Sequence, residues 1–333
     1  MDDVCSIPPT ASDERDFPMS MSSVRDAMKT VMKPFASRQA NQEPVVWDDS
    51  DDYNTGNGPR GIALVIINET FRGHKGRTGS DLDAQNLCRT FSLLGFEVRL
   101  VKDCTLKDFK QMLEQVAKED HSNADCFVFA MSSHGDELVQ DRKSALLNRK
   151  VREDVVFCTD FFMSTRELVL HFSDTNCPTL KGKPRLFFLQ ACRGGSLDEG
   201  QEVKVIMSPQ SQAGQDEVDA PELPEVVVSP APCFKDFLIM CATPPGYYAF
   251  RRPTDGSWFV QALCSVLENC DGSRDVLQML TRVINIVAQE YESCVPLNPD
   301  NDKKKQTPCI YSMLTKDVYW KVTQQPGKIL TWQ

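Results

Sequence analysis

The sequence predicts an α/β sandwich: a mostly parallel, six-stranded sheet with helices on both faces. Three observations carry this prediction. Short runs of aliphatic, β-branched and aromatic residues recur along the chain, apolar at nearly every position, as strands buried on both faces are. Segments of helical period stand between them, as crossover connections between parallel strands require. The chain has 333 residues, 41% of them hydrophobic, enough for a core on each side of such a sheet.

The elements follow in order. Residues 1–58 read as a short disordered pro-segment, because apolar residues are sparse and Asp48, Asp49, Asp51 and Asp52 lead into Asn54, Gly56, Gly58 and Pro59. Such a composition buries too little surface to offset the entropy of ordering. The first strand is Ile62-Ala63-Leu64-Val65-Ile66-Ile67. Leu82, Leu87, Phe91 and Leu94 mark a helix from Ser80 that Gly95 closes. A second strand runs to Val101, and Thr105 caps a helix carrying Leu106, Phe109, Leu113 and Val116. Three more strands lie at 126–131, 185–189 and 236–241, two helices at 258–268 and 274–291, and the last of the sheet within 309–320. Between the third and fourth strands, the stretch 135–184 carries Arg142, Lys143, Arg149, Lys150 and Arg152 and reads as a solvated surface insertion.

One segment breaks this rhythm. From Ser196 to Pro232, Asp198, Glu199, Glu202, Asp216, Glu217, Asp219, Glu222 and Glu225 face one lysine, Lys204, and prolines stand at 209, 221, 224, 230 and 232. A structureless stretch of this length inside a domain is functional or disordered.

Charge and cysteine usage narrow the class. A formal net charge of −10 argues against nucleic acid or an anionic membrane as partner. No apolar run has the length of a membrane span, and the N-terminal stretch lacks the apolar core of a secretory signal. Thirteen cysteines are scattered without a C-x-x-C pair, several inside apolar runs (Cys88, Cys126, Cys241, Cys264). That pattern predicts buried free thiols in a reducing, cytoplasmic setting and no disulfide framework. Four histidines without a ligand pair at regular spacing predict no metal site, and no cofactor is called for.

In open parallel sheets, sites form where strands end and the chain turns out of the core. The third strand runs into Ser132-Ser133-His134-Gly135-Asp136, and the fourth into Gln190-Ala191-Cys192-Arg193-Gly194. An imidazole and a thiol thus emerge at adjacent strand tips. A thiolate is the nucleophile of cysteine catalysis, and a nearby imidazole manages its proton and protonates the leaving amine. Gly135 keeps the backbone open, so that N–H groups of Gly135 and Cys192 are candidates to stabilise an acyl oxyanion. Taken singly, a strand-end histidine or one cysteine among thirteen has an ordinary structural reading. Together, beside glycines, they predict catalysis.

At these residues the chain resembles the caspases. Gln190-Ala191-Cys192-Arg193-Gly194 matches the caspase nucleophile signature, whose histidine lies roughly 50 residues upstream; the spacing here is slightly longer. Ser133-His134-Gly135 is similar to the family's histidine motif, Arg77-Thr78-Gly79-Ser80-Asp81 to its first pocket segment, and Tyr248 to Trp258 to its substrate loop. The resemblance covers nearly everything from Gly61 onward and implies one caspase domain, processed into a large subunit at 59–219 and a small one at 220–333. It implies cleavage after aspartate, whose carboxylate Arg77, Arg251 and Gln190 would bind, guanidinium being the natural bidentate partner. Tyr248, Phe250 and Trp258 would form an apolar cup for the preceding residue, with strand alternation sending Arg251 to the other side.

The chain departs from the family at Phe250, where Trp is usual, and at Arg252, commonly Asn; an extra arginine there favours an acidic residue three places before the scissile aspartate. Asp216-Glu217-Val218-Asp219-Ala220 is itself a sequence such a site accepts, so cleavage after Asp219 is expected, with a second cut near Asp49 or Asp52. The pro-segment is too short and polar for the helical bundle of initiator caspases. The resemblance therefore implies an executioner zymogen of apoptosis, cut by an upstream activating caspase. It also implies protein substrates with Asp before the scissile bond and a homodimer of large/small subunit pairs joined near Ile310 to Val318. Two other readings are disfavoured: a relative cutting after Arg or Lys, against which Arg77 and Arg251 argue, and a catalytically dead scaffold, against which the presence of Cys192, His134 and Gly135 argues.

Overall fold

The computed structural model describes residues 50–53, 58–143, 148–199, 234–294, 300 and 302–332. The pro-segment predicted over 1–58 lies outside them except at 50–53 and 58, as do Asp219 and most of the acidic linker. Ile62–Ile67 (β1) is buried along its whole length, and this sets its place at the middle of the sheet. It pairs in parallel with Glu97–Lys102 (β2) on one side and Phe127–Ser132 (β3) on the other. Beyond β3 come Arg185–Gln190 (β7) and Phe237–Cys241 (β8), also parallel, then Cys309–Ser312 (β12), antiparallel.

Among the described residues the sheet has seven strands, one more than the sequence predicts. The extra strand is Ile329–Trp332 (β14), which adds in parallel to β2 at the far edge. It is short, follows Pro326 and Gly327, and is mostly exposed, so it carries none of the burial signal that betrays the others.

Alternation in β1 divides the core. Ala63, Val65 and Ile67 face one cluster and Ile62, Leu64 and Ile66 the other. The first is closed by helices Ser80–Leu93 (α1), Trp258–Leu267 (α4) and Val276–Glu290 (α5). The second is closed by Leu106–Ala117 (α2) and Thr165–Leu170 (α3). Each fully buried Leu, Ile or Phe in these clusters contributes about 1.5–3 kcal/mol relative to exposure. Thr105 caps α2 as predicted, its side chain accepting from the Asp108 N–H. Among the described residues, no helix is long and apolar enough to cross a membrane.

The stretch 135–184 is not simply a solvated insertion. Gly135–Lys143 (β4), Asn148–Phe157 (β5) and Phe162–Ser164 (β6) form an antiparallel three-stranded sheet. Its base is anchored in the second cluster by Val156 and Met163, and Leu168, Val169 and Phe172 follow them into it. Arg251–Arg252 (β9) and Gly256–Ser257 (β10) make a small hairpin, and Asp271–Asp275 (β11) pairs with Tyr319–Lys321 (β13).

At the N-terminal side, the Tyr53 N–H donates to Asp317 O, and the Tyr53 hydroxyl donates to Asp236. Asp52, the predicted pro-segment cut, is exposed in side chain but bridged to Asp317 in backbone.

Candidate active site

The site is built on one rung of the sheet. Ser132 at the end of β3 is paired with Gln190 at the end of β7, and the Ser133 N–H donates to Gln190 O at 3.0 Å. His134 and Cys192 therefore leave the sheet side by side, each two residues past the same pair. Gly135 seals the approach: a Cβ there would sit 2.5 Å from Cys192 O and 2.8 Å from the Ala191 Cβ, closer than any side chain tolerates. Sequence reasoning assigned this glycine to oxyanion access; the structure adds that it lets the two tips touch.

Both side chains are held. His134 Nε2 lies 2.8 Å from Lys75 O. A carbonyl only accepts, so Nε2 carries the proton and Nδ1 is the free base. Phe71 packs on the imidazole at 4.6 Å between ring centroids. The Ala249 N–H donates to Cys192 Sγ at 3.4 Å. Residues 193–196 zip onto the segment after β8: the Arg193 N–H donates to Tyr247 O, the Gly246 N–H to Arg193 O and the Tyr248 N–H to Ser196 O. That close approach depends on Gly194, since a Cβ there would fall 2.6 Å from Gly246 Cα.

The electrostatics define the resting state. Burial pushes the Cys192 thiol above its ordinary range, against the pull of the Ala249 N–H, Arg77 and Arg251. Burial lowers His134, with Arg77, His74 and Arg251 acting in the same direction and the Lys75 carbonyl against it. A raised thiol is still protonated at pH 7, and a lowered imidazole is already neutral there. The resting pair is thus thiol and neutral imidazole, with Nδ1 ready to accept. We expect alkylation of Cys192 by iodoacetamide to accelerate as pH rises, with a midpoint above the usual thiol value of about 8.5. A fast, flat rate from about pH 5 to pH 8 would mean a resting ion pair instead.

Arg77, Ser133, His134, Gln190, Cys192, Leu197, Tyr248, Ala249, Phe250 and Arg251 line one cleft of about 500 Å³. Of the predicted residues, Arg77, Gln190, Arg251, Tyr248 and Phe250 therefore meet Cys192 and His134 in a single space. Arg77 is only 4% exposed. Its guanidinium donates to Asn68 O, Ser80 Oγ and Ser132 Oγ; Arg251 donates to Thr78 O. Neither forms an ion pair among the described residues. Burial first, then Arg251, lowers Arg77 to about 10; burial also lowers Arg251. Two desolvated guanidiniums sharing a cleft form a site for an anion. Gln190 is buried beside them, and its Oε1 has no hydrogen-bond partner among the described residues.

The aromatic group differs from expectation in geometry. Residues 248–250 have no strand pairing among the described residues, so alternation does not govern them, and Tyr248, Phe250 and Arg251 line the same cleft. Trp258, at 1% exposure, lies beneath Phe250, their rings stacked at 4.8 Å. The Arg252 guanidinium lies over Trp258 and Tyr291 and donates to Glu292 O.

Three supporting groups escaped the sequence reading. Asp83 is fully buried and accepts from the Ser132 and Ser257 hydroxyls and the Ser257 N–H; Ser132 in turn receives Arg77. Gln306 accepts from the Phe250 N–H at 2.6 Å and donates to Ala242 O. The third is the Lys75 carbonyl. The place of Asp83 in the first turn of α1, four residues before Leu87, was the only signal the sequence held for it; a backbone carbonyl leaves none.

With this geometry in place, comparison with known proteins is direct. Residues 60–319 match the caspase domain. The chain is 37% identical over 271 residues to caspase-7 of Gallus gallus, covering 80% of this chain and 79% of that one. It is 38% identical over 263 residues to caspase-3 of Mus musculus, covering 78% and 83%, and 36% identical over 286 residues to caspase drICE of Drosophila melanogaster, covering 85% and 76%. The crystal structure of caspase-1 from Spodoptera frugiperda superposes with a TM-score of 0.67 at 33% identity, covering 85% of this chain and 98% of that one.

Proposed function

The chain belongs to the caspase family of cysteine endopeptidases, and on that premise we propose that it is an executioner-type zymogen of apoptosis, cytoplasmic, that cuts proteins after aspartate. The observation carrying this reading is the single cleft in which Cys192 and His134 share walls with Arg77, Arg251 and Gln190. The aspartate carboxylate enters between the guanidiniums, bringing that residue's own main-chain carbonyl carbon to Cys192. As Sγ attacks, His134 Nδ1 takes the thiol proton. The oxyanion faces the N–H groups of Gly135 and Cys192. His134 then gives its proton to the amine nitrogen, the C–N bond breaks, and a thioester remains. A water deprotonated by His134 releases the acid and restores the thiol. Tyr248 and Phe250 wall the cup for the preceding residue, Trp258 supports it from below, and Arg252 biases the outer site toward acidic residues.

The test is a paired assay with peptides identical except for Asp, Asn or Arg before the scissile bond, run on mature protein with and without Cys192→Ala. Cleavage restricted to Asp and dependent on Cys192 is expected. Cleavage after Arg, or turnover by the Cys192→Ala protein, refutes the assignment.

Activation follows from the linker. We expect cleavage after Asp219 by an upstream caspase to leave a large fragment with Cys192 and His134 and a small one with Arg251. The fragments stay joined because β7 pairs with β8 along its length and α1 and α4 share one cluster. N-terminal mapping of the Asp219→Ala chain should show no fragment beginning at Ala220 and slower maturation; an unchanged maturation rate overturns the site. β12 is the outer strand of the sheet, and Tyr311 on it is 41% exposed, which supports a homodimer joined near Ile310 to Val318.

A further inference from the structure

Strands β8 and β12 bring together two thiols that do not line the substrate cleft. In their antiparallel register Cys241 stands opposite Cys309, and both pack into the same cluster. Directly opposed residues in such a pair have Cα atoms roughly 4.5–5.5 Å apart, inside the range of roughly 4.4–6.8 Å that a disulfide spans. The two sulfurs are not equivalent. Cys241 is buried and Cys309 partly exposed. Arg193 Nη1 donates to Cys309 Sγ at 3.3 Å; as a thiol, Cys309 donates to Thr243 O. The hydrogen bond from Cys241 and the charge of Arg193 pull Cys309 down to about 7. The same thiol contact, with burial, pushes Cys241 well up. One sulfur is thus set to be a thiolate, and its neighbour a protonated thiol.

We propose that Cys309 and Cys241 form a peroxide-sensitive pair that closes into a disulfide between β8 and β12. The Cys309 thiolate attacks one oxygen of hydrogen peroxide; the S–O bond forms, the O–O bond breaks and hydroxide leaves, giving a sulfenic acid. The Cys241 sulfur then attacks that sulfur; the S–S bond forms, the S–O bond breaks, and hydroxide departs with the Cys241 proton as water. Two electrons pass from the sulfurs to the peroxide. The bridge removes one acceptor from Arg193, which keeps Asp154, Tyr311 and Thr243 O. Cys192 is untouched, so this proposal stands or falls apart from the peptidase reading.

A second pair within the molecule serves as control. Cys104 and Cys158 also touch, but that contact and burial hold Cys158 as a neutral thiol, and both are buried. The experiment treats the full chain carrying Cys192→Ala with hydrogen peroxide near neutral pH, alkylates it, digests it and maps the peptides by mass spectrometry. The Cys241 and Cys309 peptides should appear joined and separate with dithiothreitol, while Cys104 and Cys158 remain alkylated. In the Cys241→Ser chain, dimedone should label Cys309. The proposal is overturned if Cys241 and Cys309 both stay alkylatable at a dose that oxidises exposed Cys294, or if dimedone leaves Cys309 unlabelled.

Discussion

Arg77→Met is expected to lower kcat/KM for a peptide ending in aspartate by about 10³-fold or more, ~4 kcal/mol at 1.4 kcal/mol per tenfold, and to abolish the preference for Asp over Asn. The reason is the state of the pocket before substrate arrives. Arg77 is buried, anchored on Asn68 O, Ser80 and Ser132, and without an ion-pair partner among the described residues. Its desolvation is thus already complete, and a carboxylate meets a charge that water no longer screens. Arg77→Lys should lose nearly as much. One ammonium cannot hold three anchors in a plane and also present a fork to the substrate. Alkylation of Cys192 in both variants reports whether the neighbouring strand tips are intact. If Arg77→Met alkylates normally and still prefers Asp over Asn, the carboxylate lies elsewhere.

That pocket shows what the sequence reveals and what it withholds. Arg77, Gln190, Arg251, His134 and Cys192 were visible because each is a chemically distinctive side chain beside a run of buried apolar residues, and such runs mark strand ends sharply. β1, β3 and β7 read correctly for the same reason: every position is buried, so no alternation needs to be resolved. The hairpin of β4 and β5 was not visible. Gly135–Lys143 is largely polar and its pairing is satisfied strand to strand, so composition alone suggests a loop. β14 escaped because an edge strand with exposed Ile329 and Leu330 has no core pattern. Asp83 was visible as an acid in the first turn of α1, a common helix feature; its burial under Ser132 and Ser257 is a tertiary fact. Trp258 and Phe250 stack on each other, but alternation was the wrong geometry for a segment without a strand partner among the described residues.

The same logic sets the expectation for the reacting pair. Cys192→Ala and His134→Ala should each reduce kcat by about 10⁴–10⁶, and the double variant should be little worse than the poorer single one. Burial holds the thiol protonated, so without His134 nothing removes its proton; without the thiol, Nδ1 has no nucleophile to activate. Two groups that act only together lose their whole contribution when either goes. Gly135→Ala offers the complementary experiment. Its Cβ would press on Cys192 O and the Ala191 Cβ, forcing the strand tips apart while Arg77 and Arg251 keep their own anchors. A displacement near 1 Å should cost about 10²-fold in kcat, with KM changed little. Additive losses in the double variant would mean that thiol and imidazole work independently. A Gly135→Ala effect confined to KM would place that glycine in substrate binding and not in the contact between the two tips.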